Sequence, residues 1–121
     1  GGIAGTYAYM APEQARGDKR LTTAIDIHAL GVILFELLTG GLPYGGADVP
    51  SMLRRIADET EPVPRLSRFR PDVAADLEAI CAKCLEKQPA KRYASAQELA
   101  DDLTRFLNGE AVQARPRTAW E

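Results

Sequence analysis

The stretch of residues 26–40 constrains the fold of this chain more than any other part of its sequence. Between Leu30 and Leu38 only one glycine and one glutamate interrupt the apolar residues. Wound at 3.6 residues per turn, such a run places apolar side chains on every side of a helix, which is typical of a buried helix. The run is too short to cross a bilayer, which takes about 20 mainly apolar residues. We therefore predict a central core helix over about residues 23–39, ended by glycine at Gly40.

The length of 121 residues is enough for one small domain with one core. The formal charge of −2 gives no electrostatic footprint for nucleic acid or for an anionic membrane surface. The sequence shows no secretory signal and no segment apolar enough to span a membrane. The two cysteines lie close together, which suits a reducing compartment. We expect a cytoplasmic domain without a nucleic-acid partner and without a membrane segment.

Three amphipathic helices are predicted to surround the central helix. They run over about residues 48–59, 72–86 and 95–108, and Asp72 is expected to cap the second of these. The last one begins with a capping box at residues 95–98, the clearest local signal in the sequence. A short helical turn should follow Pro12, and residues 61–71 read as an extended loop. Because no segment reads as a strand, the predicted fold is mainly α, with amphipathic helices packed about one buried helix.

Two motifs suggest chemistry at first sight but are better interpreted as core. Cys81 and Cys84 have the spacing of zinc and redox motifs, yet a zinc site would need a second ligand pair. Free cysteines are often buried, so we interpret both as core residues. His28 could act as a base, but no nucleophile motif accompanies it. A core histidine with satisfied hydrogen bonds is the preferred interpretation.

Charged residues beside the helices raise further questions. Asp26 at the start of a buried helix would be costly without hydrogen-bond donors, and it is either a helix cap or a brace for another loop. Glu13 and Arg92 each lie in a loop next to a helix and could form a bidentate ion pair, although spacing alone does not show that they do. The arginines of the 61–71 loop have no interleaved aromatic residues and are interpreted as a solvated face rather than a phosphate site. They are Arg65, Arg68 and Arg70.

Four motifs, in order along the chain, closely resemble serine/threonine protein kinases. Residues 5–14, G-T-Y-A-Y-M-A-P-E-Q, resemble the end of the activation segment with its A-P-E motif. Residues 26–32 resemble the start of the central helix of the C-lobe, and residues 36–44 its end and the P-[FY] that follows. Residues 84–93, C-L-E-K-Q-P-A-K-R-Y, resemble the loop before the last helix. The residues of the first motif, and the F-L-N-G-E sequence at residues 106–110, look most like those of bacterial receptor-type kinases.

The resemblance implies roles for individual residues. Thr6 would hydrogen-bond the catalytic aspartate and lysine of the intact enzyme and help define serine/threonine specificity. Glu13 would pair with Arg92 and tie the activation segment to the last helices, while Asp26 would hold the backbone of the catalytic loop. Gly31 belongs to the motif of the central helix and is expected to be structural. The platform for the protein substrate would be formed by Gly5, Thr6, Tyr7, Ala8 and Tyr9.

Three positions depart from the family pattern. Tyr7 stands where proline is common, which affects the shape of the substrate platform. His28 stands where tyrosine or tryptophan is common, and Ile25 where a small hydroxyl residue often precedes the aspartate. These two changes affect packing and the helix cap.

The motifs that carry kinase chemistry are absent from the sequence: the Gly-rich loop, the V-A-I-K lysine, the H-R-D loop and the D-F-G. Phosphoryl transfer depends on those parts. We therefore expect the helical C-lobe portion of a kinase-like fold, with residues 1–18 ending the activation segment, 19–109 forming the helical subdomain and 110–121 a tail or linker. Alone it should have no catalytic residue, cofactor or metal; ATP and magnesium would bind only the intact kinase.

Two interpretations remain open at this point. In the first, the chain is a severed part of a kinase, whose partners are the missing N-terminal half and, in the intact and possibly membrane-anchored enzyme, protein substrates. In the second, it is a stand-alone interaction module or a pseudokinase remnant. The first is favoured, because the helices that cover one side of the central helix in the family are missing and an uncovered apolar face is rare in soluble monomers.

Overall fold

The protein is all-helical over the residues that its computed structural model describes, which are 7–20, 22–45 and 48–115. Six α-helices and one 3-10 turn, Pro89–Lys91, follow one another within these ranges. The helices are α1 (Pro12–Ala15), α2 (Thr23–Thr39), α3 (Val49–Ala57), α4 (Leu66–Phe69), α5 (Ala75–Cys84) and α6 (Ala96–Leu107). No strand occurs within the described ranges, and the predicted mainly α fold is confirmed.

Helix α2 is the centre of the fold and packs against α4, α5 and α6. It ends as predicted at Gly40, whose φ of 77° is in the left-handed region and whose N–H donates to the carbonyl of Glu36 at 2.8 Å. Two core clusters share its inner faces. The first contains Ile27, Ile80, Cys84, Tyr93, Leu99 and Val112. The second contains Val32, Phe35, Leu66, Cys81 and Leu85.

One side of α2 is left uncovered by the residues that the structure describes. Leu30, Ile33 and Leu37 are 40%, 43% and 77% exposed, and their spacing of three and four residues places them in one row, here called the exposed stripe. Asp26 lies in the same row and is also exposed. The apolar run alone predicted a helix buried on every side and Asp26 as a buried acid, and both predictions are wrong for this chain. The uncovered face is what the interpretation as part of a kinase predicted. The described neighbours pack only on the opposite sides of the helix.

Two local predictions differ from the structure. The 61–71 loop contains the short helix α4 rather than only extended chain, because the buried Leu66 draws it onto the core. Asp72 does not cap the next helix, which begins at Ala75 after Ala74 and without a side-chain cap. A turn closed by the Val73 N–H on the carbonyl of Arg70 places Asp72 outside the helix.

Helix α6 begins with the predicted cap. The Ser95 Oγ accepts from the Glu98 N–H at 3.1 Å, while the Glu98 carboxylate accepts from the N–H of Ala94, one residue before the expected partner. The chain turns at Gly109, where φ is 73°. The residues after it were predicted as tail or linker, but within 110–115 the side chain of Val112 is buried in the first core cluster. Residues 116–121 lie outside the described ranges.

Gly31 lies where α2 and α5 approach most closely. A Cβ at this position would lie 2.5 Å from the Cβ of Cys84 and 3.1 Å from Cδ2 of Leu85. The Cys84 Cβ is fixed to the backbone and cannot turn away, so a side chain would push the helices apart.

We expect Gly31→Ala to destabilise the protein by about 2 kcal/mol. The 2.5 Å approach to the Cys84 Cβ puts overpacking at the upper end of its range of about 1–3 kcal/mol, and the better helix propensity of alanine returns about 1 kcal/mol. Urea unfolding followed by the helical circular dichroism signal measures the loss. The matched control is Gly41→Ala, because no atom lies within 4 Å of a Cβ built there. Equal midpoints for the two variants would contradict the close packing of α2 on α5.

Candidate functional site

The described part of the predicted substrate platform is residues 7–9; Gly5 and Thr6 lie outside the described residues. Ala8 is 5% exposed, and Tyr7 and Tyr9 are half-buried. A turn closed by the Met10 N–H on the carbonyl of Tyr7 leads into α1. The three residues pack on a third apolar cluster, whose buried members besides Ala8 are Tyr44, Met52 and Ile56. The platform segment therefore rests on α3 and on the loop after α2.

Tyr9 is anchored to the central helix. Its hydroxyl donates to the Glu36 Oε1 at 2.5 Å, and this hydrogen bond, with partial burial and the charge of Glu36, raises the pKa of Tyr9 above its ordinary value. This contact accounts for the one charged residue within the apolar run of α2. Tyr9 therefore faces the scaffold through its hydroxyl, and its assignment to substrate positioning stays a prediction.

Glu13 and Arg92, 79 residues apart in the chain, are brought together in the interior. The Arg92 Nη1 donates to the Glu13 Oε2 and its Nη2 to the Oε1, both at 2.7 Å. The Arg92 side chain is 0% exposed and the Glu13 side chain is 9% exposed. The two parallel hydrogen bonds form the bidentate geometry that is strongest for an arginine–carboxylate pair. The pair connects α1, which follows the platform, to the loop before α6.

Every donor of the Arg92 guanidinium is used, as a buried arginine with its five N–H groups requires. Besides Glu13 it donates to the carbonyls of Ala24, Glu86 and Lys87, at 3.0, 2.8 and 3.4 Å. Burial raises the pKa of Glu13, but the hydrogen bonds and charge of Arg92 outweigh it and hold that pKa below its ordinary value. Glu13 is therefore ionised at neutral pH, and the pair is a charged brace.

His28 lies in the core beside this brace. It is 1% exposed, as the core interpretation predicted, but neither ring nitrogen has a hydrogen-bond partner among the described residues, so the expectation of satisfied hydrogen bonds was wrong. Burial, with the positive charge of Arg92, lowers its pKa to about 3. The ring is neutral at physiological pH and is enclosed away from solvent, which does not suit a catalytic base.

Lys87 is a buried residue that was not among the predicted site residues. It is 6% exposed, and its Nζ donates to the carbonyls of Arg55 and Ile56 at 2.7 and 2.9 Å, in the last turn of α3. The ammonium also lies 4.3 Å from the centre of the Tyr44 ring. A cation at a helix C-terminus satisfies carbonyls that the helix leaves unpaired. Burial lowers the pKa of Lys87 to about 8. In the sequence, only its position within the 84–93 motif sets Lys87 apart from other lysines.

The other candidate residues form no chemical site in the part of the chain that the structure describes. Cys81 and Cys84 are buried free thiols, and burial raises the pKa of each to about 12, as suits core residues. No group of three or more potential metal ligands occurs among those residues. Arg65 and Arg70 form loose ion pairs at 3.5 Å on the surface, in keeping with a solvated face. Across residues 7–20, 22–45 and 48–115, no helix is both long and apolar enough to cross a membrane.

Comparison with known proteins places these features in a family. The model of the protein kinase domain matches residues 2–103. The serine/threonine-protein kinase PknB of Mycobacterium tuberculosis is 39% identical over 112 residues, which are 93% of this chain and 17% of that protein. PrkC of Bacillus subtilis, also named a serine/threonine-protein kinase, is 35% identical over 120 residues, 98% of this chain and 18% of its own length.

A third relative carries a different name. The tyrosine-protein kinase MasK of Myxococcus xanthus is 41% identical over 108 residues, 89% of this chain and 16% of that protein. The chain thus spans less than a fifth of the length of the curated relatives it matches. The match of the family model covers the platform, the Glu13–Arg92 brace and the central helix. The chain therefore belongs to the protein kinase family, as a relative of the bacterial serine/threonine kinases.

Proposed function

We propose that this chain supplies the structural core of a kinase C-lobe and the platform that positions a protein substrate. In the complete enzyme, that substrate would accept a phosphoryl group from ATP on a serine or threonine hydroxyl. The buried Glu13–Arg92 ion pair carries the proposal, because it fixes the segment that follows residues 5–9 to the helical core. Since phosphoryl transfer rests on positioning and electrostatic stabilisation, a rigid platform next to the reacting groups serves it directly.

The chemistry itself requires groups from outside this chain. The proposal assigns the phosphates of ATP and the magnesium ions to a Gly-rich loop, a lysine, an H-R-D loop and a D-F-G contributed by further kinase residues. Thr6 would hydrogen-bond the catalytic aspartate and lysine of that part. The chain alone would then transfer no phosphate.

The exposed stripe supports the proposal that this chain combines with a further part of a kinase domain. Leu30, Ile33 and Leu37 leave an apolar row on the helix around which the fold is built. Soluble monomers seldom leave the central helix of a core uncovered. The proposed occupant of the row is the N-terminal half of a kinase domain. Asp26 begins the same row, where its exposed carboxylate could accept hydrogen bonds from the backbone of the catalytic loop.

A phosphorylation assay tests the proposal. The chain is incubated with radiolabelled ATP, magnesium and acceptor peptides, either alone or with the N-terminal half of the PknB kinase domain supplied as a separate polypeptide. Phosphate transfer is expected only when both parts are present, and on serine or threonine peptides rather than tyrosine peptides. Because the two halves come from different proteins, binding of the PknB half to the exposed stripe is measured in parallel.

The outcomes separate the interpretations. Transfer by the chain alone would overturn the proposed division between the two parts. Failure of the PknB half to bind would favour a stand-alone interaction module. Transfer to tyrosine peptides would overturn the serine/threonine specificity while leaving the kinase proposal intact. The proposed cellular location of the reaction is the cytoplasm.

A further inference from the structure

The segment of residues 110–115, here called the strap, folds back onto the helices after α6 ends. Val112 is 2% exposed and lies in the same apolar cluster as Ile27 of the central helix and Tyr93. Ala114 packs against this cluster as well. At the end of the strap the Arg115 guanidinium donates to the Asp76 carboxylate on α5 at 3.1 Å. The strap is thus held by the apolar side chain of Val112 and by the ion pair of Arg115 with Asp76.

Asp102 on α6 holds the strap from beneath. Its carboxylate is 0% exposed and accepts four hydrogen bonds, two of them from the backbone of the strap. The Gln113 N–H donates to its Oδ1 at 2.7 Å and the Ala114 N–H to its Oδ2 at 3.0 Å. The Arg105 Nη1 donates to the Oδ1 at 2.9 Å and the Tyr93 hydroxyl to the Oδ2 at 2.5 Å.

The carboxylate needs the strap. Burial alone would raise the pKa of Asp102, but the hydrogen bonds of Tyr93, Gln113, Ala114 and Arg105 together hold it below its ordinary value. A buried charge is costly unless its oxygens are paired. If the strap detached, Asp102 would lose two of its four hydrogen-bond donors and the apolar cluster would lose the Val112 side chain. Both losses would remove contacts next to Tyr93.

Tyr93 connects this arrangement to the kinase platform. Its hydroxyl is bonded to Asp102 and its ring lies in the cluster that Val112 completes. The preceding residue, Arg92, holds Glu13 beside the platform. The strap, α6, the 87–94 loop and α1 are therefore linked by contacts without a gap. Contacts of this kind can carry coupling between distant sites when they include an element with two arrangements.

We propose that the strap is a conformational latch: docked on Asp102 it keeps Tyr93 and Arg92 in place, and its release loosens α1 and the platform. The two arrangements are the docked strap and the released strap. This inference concerns the chain as a folded body and does not depend on the proposed phosphoryl transfer.

The test removes one strap hydrogen bond by a proline substitution, and the proline ring also takes the place of the N–H beside Asp102. Gln113 is the second residue of a turn closed by the Arg115 N–H on the carbonyl of Val112, and proline is favoured at that place of a turn. Gln113→Pro therefore deletes the N–H that Asp102 binds while leaving the turn. Gln113→Ala is the matched control, because it shortens the same exposed side chain and keeps the N–H.

Amide hydrogen exchange of the full chain, resolved residue by residue by NMR, provides the readout. In Gln113→Pro we expect the amide of Ala114 to exchange about tenfold faster. The lost hydrogen bond to a charged group stabilises the docked strap, and a factor of ten corresponds to about 1.4 kcal/mol. The amides of Ala15 and Asp18, which close α1, should accelerate by a similar factor. The amide of Arg70, which caps the end of α4, serves as a reference and should not change. Gln113→Ala should leave all four amides as they were.

Each other outcome contradicts the latch. Faster exchange of the Ala114 amide without faster exchange of the Ala15 and Asp18 amides would show that the strap does not influence α1. Equal acceleration of all amides, the Arg70 reference included, would mean general destabilisation. No acceleration anywhere would show that the bond to Asp102 is dispensable. A milder variant, Arg115→Ala, guards against unfolding by the proline: it loosens only the exposed strap end, and it should accelerate the Ala114, Ala15 and Asp18 amides by a smaller factor.

Discussion

Replacing Arg92 by alanine should destabilise the protein by about 3–5 kcal/mol, the cost of breaking a buried ion pair from one side. The guanidinium is fully buried and makes five hydrogen bonds, two of them to Glu13. Its removal leaves the Glu13 carboxylate without its charged partner, and the carbonyls of Ala24, Glu86 and Lys87 each lose a hydrogen bond. Urea unfolding at submicromolar concentration, where association is weakest, measures the loss.

The control is an arginine–carboxylate pair of similar geometry on the surface. Arg20 donates to Asp18 at 2.9 Å, but its side chain is 85% exposed. Solvent screens such a pair, so Arg20→Ala should change stability very little. In a double-mutant cycle, Glu13→Gln combined with Arg92→Ala should cost much less than the sum of the two single changes. A loss within about 0.5 kcal/mol for Arg92→Ala would place the pair at the surface and refute the brace.

Making the exposed stripe polar should weaken self-association of the chain by about a hundredfold or more. Each leucine or isoleucine removed from an apolar contact forfeits about 1.5–3 kcal/mol, and 1.4 kcal/mol corresponds to a factor of ten in affinity. The variant carries Leu30→Gln, Ile33→Gln and Leu37→Glu together. These side chains lie in one row and point away from the described neighbours, so the helical core should remain. Sedimentation equilibrium gives the association constant.

Leu107→Gln is the matched control for this variant. Leu107 is 80% exposed, as much as any residue of the stripe, but it lies at the end of α6. A lone exposed leucine is common on protein surfaces and makes no patch. Its substitution should leave association unchanged. If Leu107→Gln weakened association as much as the stripe variant, the contact would be unspecific.

The sequence predicted the central helix because local signals there agree with the packing. A continuous apolar run and a terminal glycine mark α2, and a capping box marks α6. The position of α4 escaped prediction because its single buried residue, Leu66, gives no periodicity. Asp72 has the residue type of a cap but stands in a turn before the helix.

The tertiary contacts were accessible only in part. Glu13 and Arg92 lie 79 residues apart, so only resemblance to a family pattern suggested that they could meet. Lys87 and Asp102 look like ordinary surface charges in sequence, because nothing local shows that carbonyls of α3 or N–H groups of the strap will converge on them. The apolar run of α2 alone did not show which side of the helix is exposed. An apolar helix face indicates that a partner is required, and the sequence does not say whether the partner belongs to the same chain.

The most direct test of the central claim, that α2 was shaped to be covered by a further part of a kinase domain, is the state of the purified 121-residue chain. Sedimentation velocity combined with a thermal melt gives its size and cooperativity. We expect species larger than a monomer that grow with concentration, so that the midpoint of the melt also depends on concentration. A clean monomer that unfolds in one sharp two-state transition would contradict the claim.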